Sequence, residues 1–268
     1  MKYVVDHDIH IHSELSACSG HPEQTPAAIL QYAIDNGYKT ICLTDHFWDE
    51  KVPGSSEWYA PQNHAHVHKS LPLPQTEGVE FLFGVETEMT KDNVVAVSPE
   101  RFDDFAFVII PVSHFHMKGF ALSMEDAATA EGRVNRFLDK MEALLDMPLP
   151  FHKIGLAHLA NDTIGNRENK MYCQVLRMLM GERLEKLFTK AAALGVGIEL
   201  NTSCFLFQNQ EEEDAVIDFY KLAKKCGCKF YFGTDAHTPK DFVGRKAVAE
   251  RAVELLGLTE DDKFVIGR

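Results

Sequence analysis

The residues able to do chemistry in this 268-residue chain gather in five short clusters: His10-Ile11-His12, Thr44-Asp45-His46, Ser113-His114-Phe115-His116, Ala157-His158 and Thr234-Asp235-Ala236-His237. Each follows an apolar run that reads as a β-strand. Alternate residues of a strand share a face, so His10 and His12 can reach one cation, and so can Asp235 and His237. Histidine mixed with carboxylate suits zinc, manganese or iron, and a set spread over many strands suits two or more ions sharing a bridging carboxylate. Glu86, in Gly84-Val85-Glu86-Thr87-Glu88, ends the third strand and is the natural bridge; Glu88 faces the same way if the strand continues. Ions so held lower the pKa of a bound water to about 7, orient a substrate and neutralise charge on attacking and leaving oxygens, which is hydrolytic machinery. A lone histidine at a strand end is ordinarily a hydrogen-bonded core or surface residue. The joint pattern is what points to metal. His64, His66 and His68 lack a strand and read as solvated loop residues.

The elements that must position these clusters alternate between β-rich apolar runs and helical patterns, the sign of repeated βα units and a parallel sheet. Strands are expected at Val4–His12, Lys39–Asp45, Glu80–Glu86, Phe105–Val112, Lys153–His158, Val196–Asn201 and Lys229–Thr234. Thr25-Pro26 opens a helix through Asn36 with Gly37 as its stop, and Met124 to Asp146 carries another. A long helix is expected from about Asn169 to Leu194, where Leu184, Leu187, Phe188, Ala191 and Leu194 fall at steps of three and four. Seven such units point to a closed or nearly closed βα barrel, with functional residues at the C-terminal ends of the strands, where the five clusters lie. From Phe47 to Gly78 the chain has four prolines and no helical or strand period. This stretch reads as a long loop over the barrel mouth, where substrate contacts belong.

Hydrophobic residues make up 45% of the chain, enough for a substantial core, and no Pro/Gly/Ser linker divides it, so residues 1–268 are expected to form a single domain. No signal-peptide pattern or membrane-length apolar run is visible, and six scattered cysteines fit reduced thiols, which together suggest a cytoplasmic protein. The formal charge of −13 argues against nucleic acid as a partner. A small anion is still acceptable, because two or three divalent ions return about four to six positive charges locally. Lys91, Lys118, Arg133, Arg167 and Arg245 lie in regions suited to phosphate recognition, Lys118 best of all, just after His114-Phe115-His116.

Asp8-Ile9-His10-Ile11-His12-Ser13, Leu43-Thr44-Asp45-His46, Gly84-Val85-Glu86 and Gly233-Thr234-Asp235-Ala236-His237-Thr238 resemble, in order and spacing, the motifs of the PHP (polymerase and histidinol phosphatase) superfamily. The resemblance implies an α/β fold, a distorted seven-stranded TIM-like (β/α)7 barrel with a trinuclear site. It implies that His10, His12, Glu86 and Asp235 hold one ion, Glu86, His114 and His158 a second, and His46 and His237 a third. One departure concerns the third ion: six residues past His12, where the family commonly has a histidine or acid, stands Cys18, with His21 close behind. A thiolate is a good zinc ligand, so either Cys18 or His21 can complete that site. Glu199-Leu200-Asn201-Thr202 resembles a further strand-end motif, which makes Asn201 a candidate for substrate contact.

The chain therefore reads as a metal-dependent hydrolase of phosphate monoesters, most similar to the histidinol-phosphatase branch, with metal-bound hydroxide as nucleophile and two to three zinc, manganese or iron ions. His10, His12, Glu86, Asp235 and His237 are the catalytic candidates, and Lys118, Asn201 and Arg245 the substrate-binding ones. A small phosphorylated substrate is the expected partner, without nucleic acid or membrane. An amide, lactam or other ester hydrolase on a similar barrel, or a non-catalytic metal-stabilised module, stays open.

Overall fold

The computed structural model describes residues 1–167 and 171–267. Eight short strands run β1 (His7–Ile11), β2 (Thr40–Leu43), β3 (Glu80–Phe83), β4 (Val85–Glu86), β5 (Val108–Ile109), β6 (Ile154–Leu156), β7 (Gly197–Asn201) and β8 (Lys229–Gly233). All seven expected strands are present, each shorter than its apolar run, and the third is divided at Gly84 into β3 and β4. Every ladder is parallel, in a three-stranded sheet β1-β2-β3 and a five-stranded sheet β4-β5-β6-β7-β8.

A closed seven-stranded ladder does not form. The two sheets meet through the continuous β3–β4 segment on one side and through β1 and β8 on the other. There, Asp235 N donates to His10 O at 2.8 Å and His12 N to Ala236 O at 3.0 Å. Lower on the same seam side chains replace the ladder: Phe232 N donates to the His7 ring at 3.0 Å and Thr234 N to the Asp8 carboxylate at 3.0 Å. The hydrogen bonds thus tie the strands most directly at the end where the chemistry-bearing clusters sit.

Helices cover the sheets: α1 (Pro26–Asn36), α2 (His64–Val67), α3 (Met124–Ala127), α4 (Ala130–Leu145), α5 (Met171–Leu179), α6 (Glu182–Leu194), α7 (Gln210–Lys225) and α8 (Arg245–Leu256). Helix α1 has the expected boundaries, because Thr25 caps its first turn and Gly37 takes the left-handed conformation (φ 66°) that ends it. Two expected helices are each broken. Met124–Asp146 divides into α3 and α4, since Thr129 leaves the helical region to cap α4 through Gly132 N. The expected Asn169–Leu194 helix divides into α5 and α6, because Gly181 is fully extended (φ −174°) between them; Asn169 itself lies outside the described residues. In α4 the buried Val134, Phe137, Leu138, Met141, Leu144 and Leu145 form the face that packs inward.

A second apolar cluster joins Ile9, Cys42, Phe107, Ile109, Ala157, Tyr231 and Phe264. The register of β1 on β2 shifts between Asp8 and Ile11, and Ile9 joins this cluster while His10 and His12 both reach the site. The stretch from Phe47 to Gly78 is not structureless: it contains α2 and a short 3-10 turn, His68–Ser70. All six cysteines are free. Among the described residues no helix is long and apolar enough to cross a membrane.

Candidate metal centre

The strand ends bring together eight of the side chains singled out from the sequence. They fall in three overlapping groups: His10, His12, Glu86 and Asp235; Glu86, His114 and His158; and His12, His46 and His237. Glu86 divides its two oxygens between groups. Its Oε1 lies 3.0 Å from His158 Nε2 and 3.6 Å from His114 Nε2. Its Oε2 lies 3.4 Å from His10 Nε2, 3.3 Å from His12 Nε2 and 3.2 Å from His46 Nδ1. Asp235 Oδ1 completes the first group at 3.4 Å from His10 and 3.2 Å from His12. Four ligands about 2.0–2.1 Å from a central zinc lie about 3.3–3.4 Å from one another, so these separations suit a shared cation.

The outer nitrogens of the imidazoles settle their tautomers. Glu199 can only accept, so His10 Nδ1 donates to its Oε1 at 2.6 Å, and His114 Nδ1 likewise donates to Glu88 Oε2 at 2.7 Å. Ser16 Oγ donates to Asp45 at 2.6 Å, which leaves its lone pair to accept from His12 Nδ1 at 3.0 Å. Ser113 Oγ, donating to a strand-end carbonyl, accepts from His158 Nδ1 at 3.1 Å, and His237 Nδ1 donates to Asp235 O at 2.7 Å. With those N–H groups engaged, the Nε2 atoms of His10, His12, His114 and His158 converge on Glu86, and those of His10 and His12 also on Asp235, the arrangement that orients histidines for metal. His46 Nδ1 is buried without a hydrogen-bond partner, facing Glu86. An orphaned buried nitrogen amid nitrogen and oxygen donors fits a cation in that position.

Two of these side chains owe their direction to the backbone. His158 (φ 36°) and Asp235 (φ 55°) occupy the left-handed region just past β6 and β8, an uncommon conformation for non-glycine residues. Glu199 Oε2 accepts from His158 N at 2.6 Å and holds that turn. The turn at Asp235 also ends the strand alternation, so Asp235 and His237 fall in adjacent groups, not one as their spacing suggests. A larger residue at Gly233 would force its neighbours to shift: a Cβ there would meet the Glu199 carboxylate and the His10 side chain.

Electrostatics follow from the same contacts. Burial opposes protonation of His10, but Glu199, Asp235 and Glu86 outweigh it and hold its pKa well above the ordinary value. His12 is likewise lifted, against burial, to about 9 by hydrogen bonds to Asp235 and Glu86. The carboxyl of Glu86, despite burial, is held well below its usual range by His10 and His46, and that of Asp235 is lowered by His10 and His12. His46 is pushed down by burial, and the nearby histidines add to it. Without metal, protons on the histidines do the neutralising that cations would do.

A family model for the PHP domain matches residues 8–263. The chain belongs to the PHP family. It is 28% identical over 262 residues to a protein named "Probable phosphatase" from Thermoanaerobacter sp. (strain X514), covering 97% of this chain and 89% of that one, and matches its counterpart from Thermoanaerobacter pseudethanolicus equally. In fold it is similar to the crystal structure of histidinol phosphate phosphatase from Lactococcus lactis, complexed with zinc, L-histidinol and phosphate. The TM-score is 0.61 at 21% identity, over 96% of this chain and 95% of that one.

Beside the three groups of this PHP chain lies a cavity of about 560 Å³ whose wall includes Trp58, Tyr59, Met117 and Phe120. Trp58 and Tyr59 come from the loop expected over the mouth. Cys18 and Lys118 also line the cavity. Burial, with Glu86 and Asp235, pushes the Cys18 thiol up to about 12, and its sulfur falls in none of the three groups. His21 is farther from the chemistry: its ring accepts from Glu23 N at 3.3 Å, and it neither joins a group nor lines the cavity. The member that joins His46 and His237 is His12.

Asn201 is buried behind Asp235, donating to its Oδ2 at 3.4 Å, and Arg245 opens α8 and donates to Asp241 O at 2.9 Å; neither lines the cavity expected to take substrate. Lys91 pairs with Asp92 at 2.9 Å. The strand holding Glu86 stops there, so Glu88 turns to His114 Nδ1 and does not join the inner groups. His64, His66 and His68 also stay outside them; His66 Nε2 contacts Leu15 O at 2.8 Å. Sequence reasoning named Glu88, Ser113 and Glu199 without assigning them as outer partners of the imidazoles, and it did not single out Ser16. Glu199 had a signal: it shares a strand face with Asn201, two residues on.

Proposed function

We propose that this PHP chain is a metal-dependent phosphatase acting on small phosphate monoesters, similar to histidinol phosphatases, with residues 1–268 working as one distorted barrel domain. The observation that carries this reading is the division of Glu86 between His10/His12/His46 and His114/His158, an arrangement in which one carboxylate would help hold two cations. The names of the Thermoanaerobacter relatives and of the zinc-containing neighbour support it.

Two to three divalent ions, zinc, manganese or iron, would be held by His10, His12, Glu86, Asp235, His114, His158, His46 and His237, and would supply water activation and neutralisation of charge on the phosphoryl oxygens. The chain's own residues do the rest. Glu199, Glu88 and Ser16 fix the imidazole tautomers, and Trp58, Tyr59 and Phe120 exclude water beside the reacting centre. Six free cysteines support the reducing compartment expected from the sequence. The −13 charge disfavours nucleic acid.

A panel of phosphate monoesters, histidinol phosphate among them, tests the reading with metal-loaded protein. Hydrolysis should stop on chelation, return on adding zinc or manganese, and be inhibited competitively by inorganic phosphate. Turnover of amides or lactams with no effect of phosphate would instead support the amide hydrolase.

A further inference from the structure

A second cavity, of about 520 Å³, adjoins the first and shares His116, Lys118 and Thr163 with it. Its wall carries three cations, Lys118, Arg133 and Arg167, against one carboxylate, Asp162. That balance is unlike the rest of an acidic chain. Arg167 is accounted for locally, with Asp162 at 3.2 Å and Glu212 at 3.7 Å.

Arg133 is not. It is 5% exposed, yet among the described residues it pairs with no carboxylate; its guanidinium donates only to Ala127 O at 3.1 Å and Ile164 O at 3.0 Å. Those bonds engage two of the five N–H groups an arginine offers. Burying a guanidinium without a counter-charge is costly, and such groups are ordinarily paired. Lys118, exposed at the junction of the two cavities, likewise has no acidic partner among the described residues.

We propose that this second cavity is a subsite for a second anionic group of the substrate, taken by Arg133 and Lys118. The inference rests on the phosphatase reading for the first anionic group, the ester phosphate, and deepens it. The preferred substrates are phosphate monoesters whose alcohol half carries a carboxylate or a further phosphate. An alcohol half bearing an ammonium, as in histidinol phosphate, meets the wrong sign of charge there. An arginine fork beside a lysine suits either anion, so the two sources are separated by experiment.

Two matched pairs of esters make the test on metal-loaded enzyme: glycerol 3-phosphate against 3-phosphoglycerate, and fructose 6-phosphate against fructose 1,6-bisphosphate. At least one doubly anionic member should show a kcat/KM about tenfold or more above its partner, and which pair responds tells carboxylate from phosphate. Lys118→Ala should reduce that ratio to below about threefold, as should Arg133→Met where it folds. Exposed Lys118 carries the decision because replacing buried Arg133 can unfold the chain.

Titration with inorganic phosphate reads the subsite without turnover. Two binding events per chain are expected, one lost on chelation and one retained, and the retained event should weaken about tenfold in Lys118→Ala. Equal kcat/KM within both pairs, with no chelation-resistant event, would overturn the subsite. Absence of hydrolysis of all four esters with that event intact would overturn the phosphatase reading and leave the subsite standing.

Discussion

Glu199 touches no inner ligand atom, yet changing it should weaken the metal centre. One carboxylate makes two bonds, accepting from His10 Nδ1 and from His158 N, each at 2.6 Å. Glu199→Gln keeps the shape but offers one oxygen and one NH2, so one of the two donors must face another donor. If the amide nitrogen faces His10, the imidazole turns over its tautomer and presents N–H where a lone pair is needed. If it faces His158 N, the left-handed turn loses its anchor. A lost hydrogen bond to a charged acceptor costs about 1.5–3 kcal/mol, and outer partners of metal ligands typically contribute 10–100-fold in metal affinity, about 1.4–2.7 kcal/mol. At saturating free metal, a Kd raised 10–100-fold removes the same 1.4–2.7 kcal/mol of metal-linked stability. At about 2–4 °C per kcal/mol, Glu199→Gln should lose about 3–11 °C of the metal-induced rise in Tm. The assay is thermal unfolding with and without zinc, alongside chelator-competition titration. An unchanged metal-induced rise and an affinity within about threefold of wild type would refute the reasoning.

Other consequences can be measured in the same way. Gly233→Ala should displace Glu199 and His10 together and lower metal content by at least one ion, read by elemental analysis, and normal content would show that the space is not needed. His12 has its pKa raised to about 9 without metal, so its contribution to metal-free stability is complete below about 6.5 and lost as pH rises through about 9. Those protons compete with cations, so apparent metal affinity should rise from pH 7 to 9 with proton release detectable by calorimetry, and a flat profile would contradict the pairing. Cys18 and His21 both stand outside the three ligand groups, so neither Cys18→Ser nor His21→Ala should change metal content; loss of an ion in either variant would assign that side chain to the third group.

The strand ends were legible because strand period and ligand chemistry coincide: His10 and His12 share a face, and Glu86 ends an apolar run that reads as a strand. The alternation failed where the backbone leaves the strand. Asp235 turns left-handed, so it and His237 part into neighbouring groups, and Glu88 lies past the end of β4 and turns outward to His114. Helix lengths were overestimated because apolar period continues across Thr129 and Gly181, whose backbones are extended, and period does not report that. The roles of Ser16 and Ser113 were not legible for another reason. Their roles depend on which acceptor each hydroxyl finds across the fold, Asp45 in one case and a carbonyl after β6 in the other, and no local pattern encodes a partner that distant. Arg245, expected in a loop suited to phosphate, instead opens α8 with its Nε donating to Asp241 O.

The most direct test counts metal ions in protein supplied with zinc or manganese, in wild type and in Glu86→Gln. Glu86 serves two groups at once, so the account predicts two to three ions per wild-type chain and the loss of at least one in the variant, with activity falling alongside. Less than about one ion per wild-type chain after loading, or equal content in Glu86→Gln, would contradict a metal centre bridged by that carboxylate.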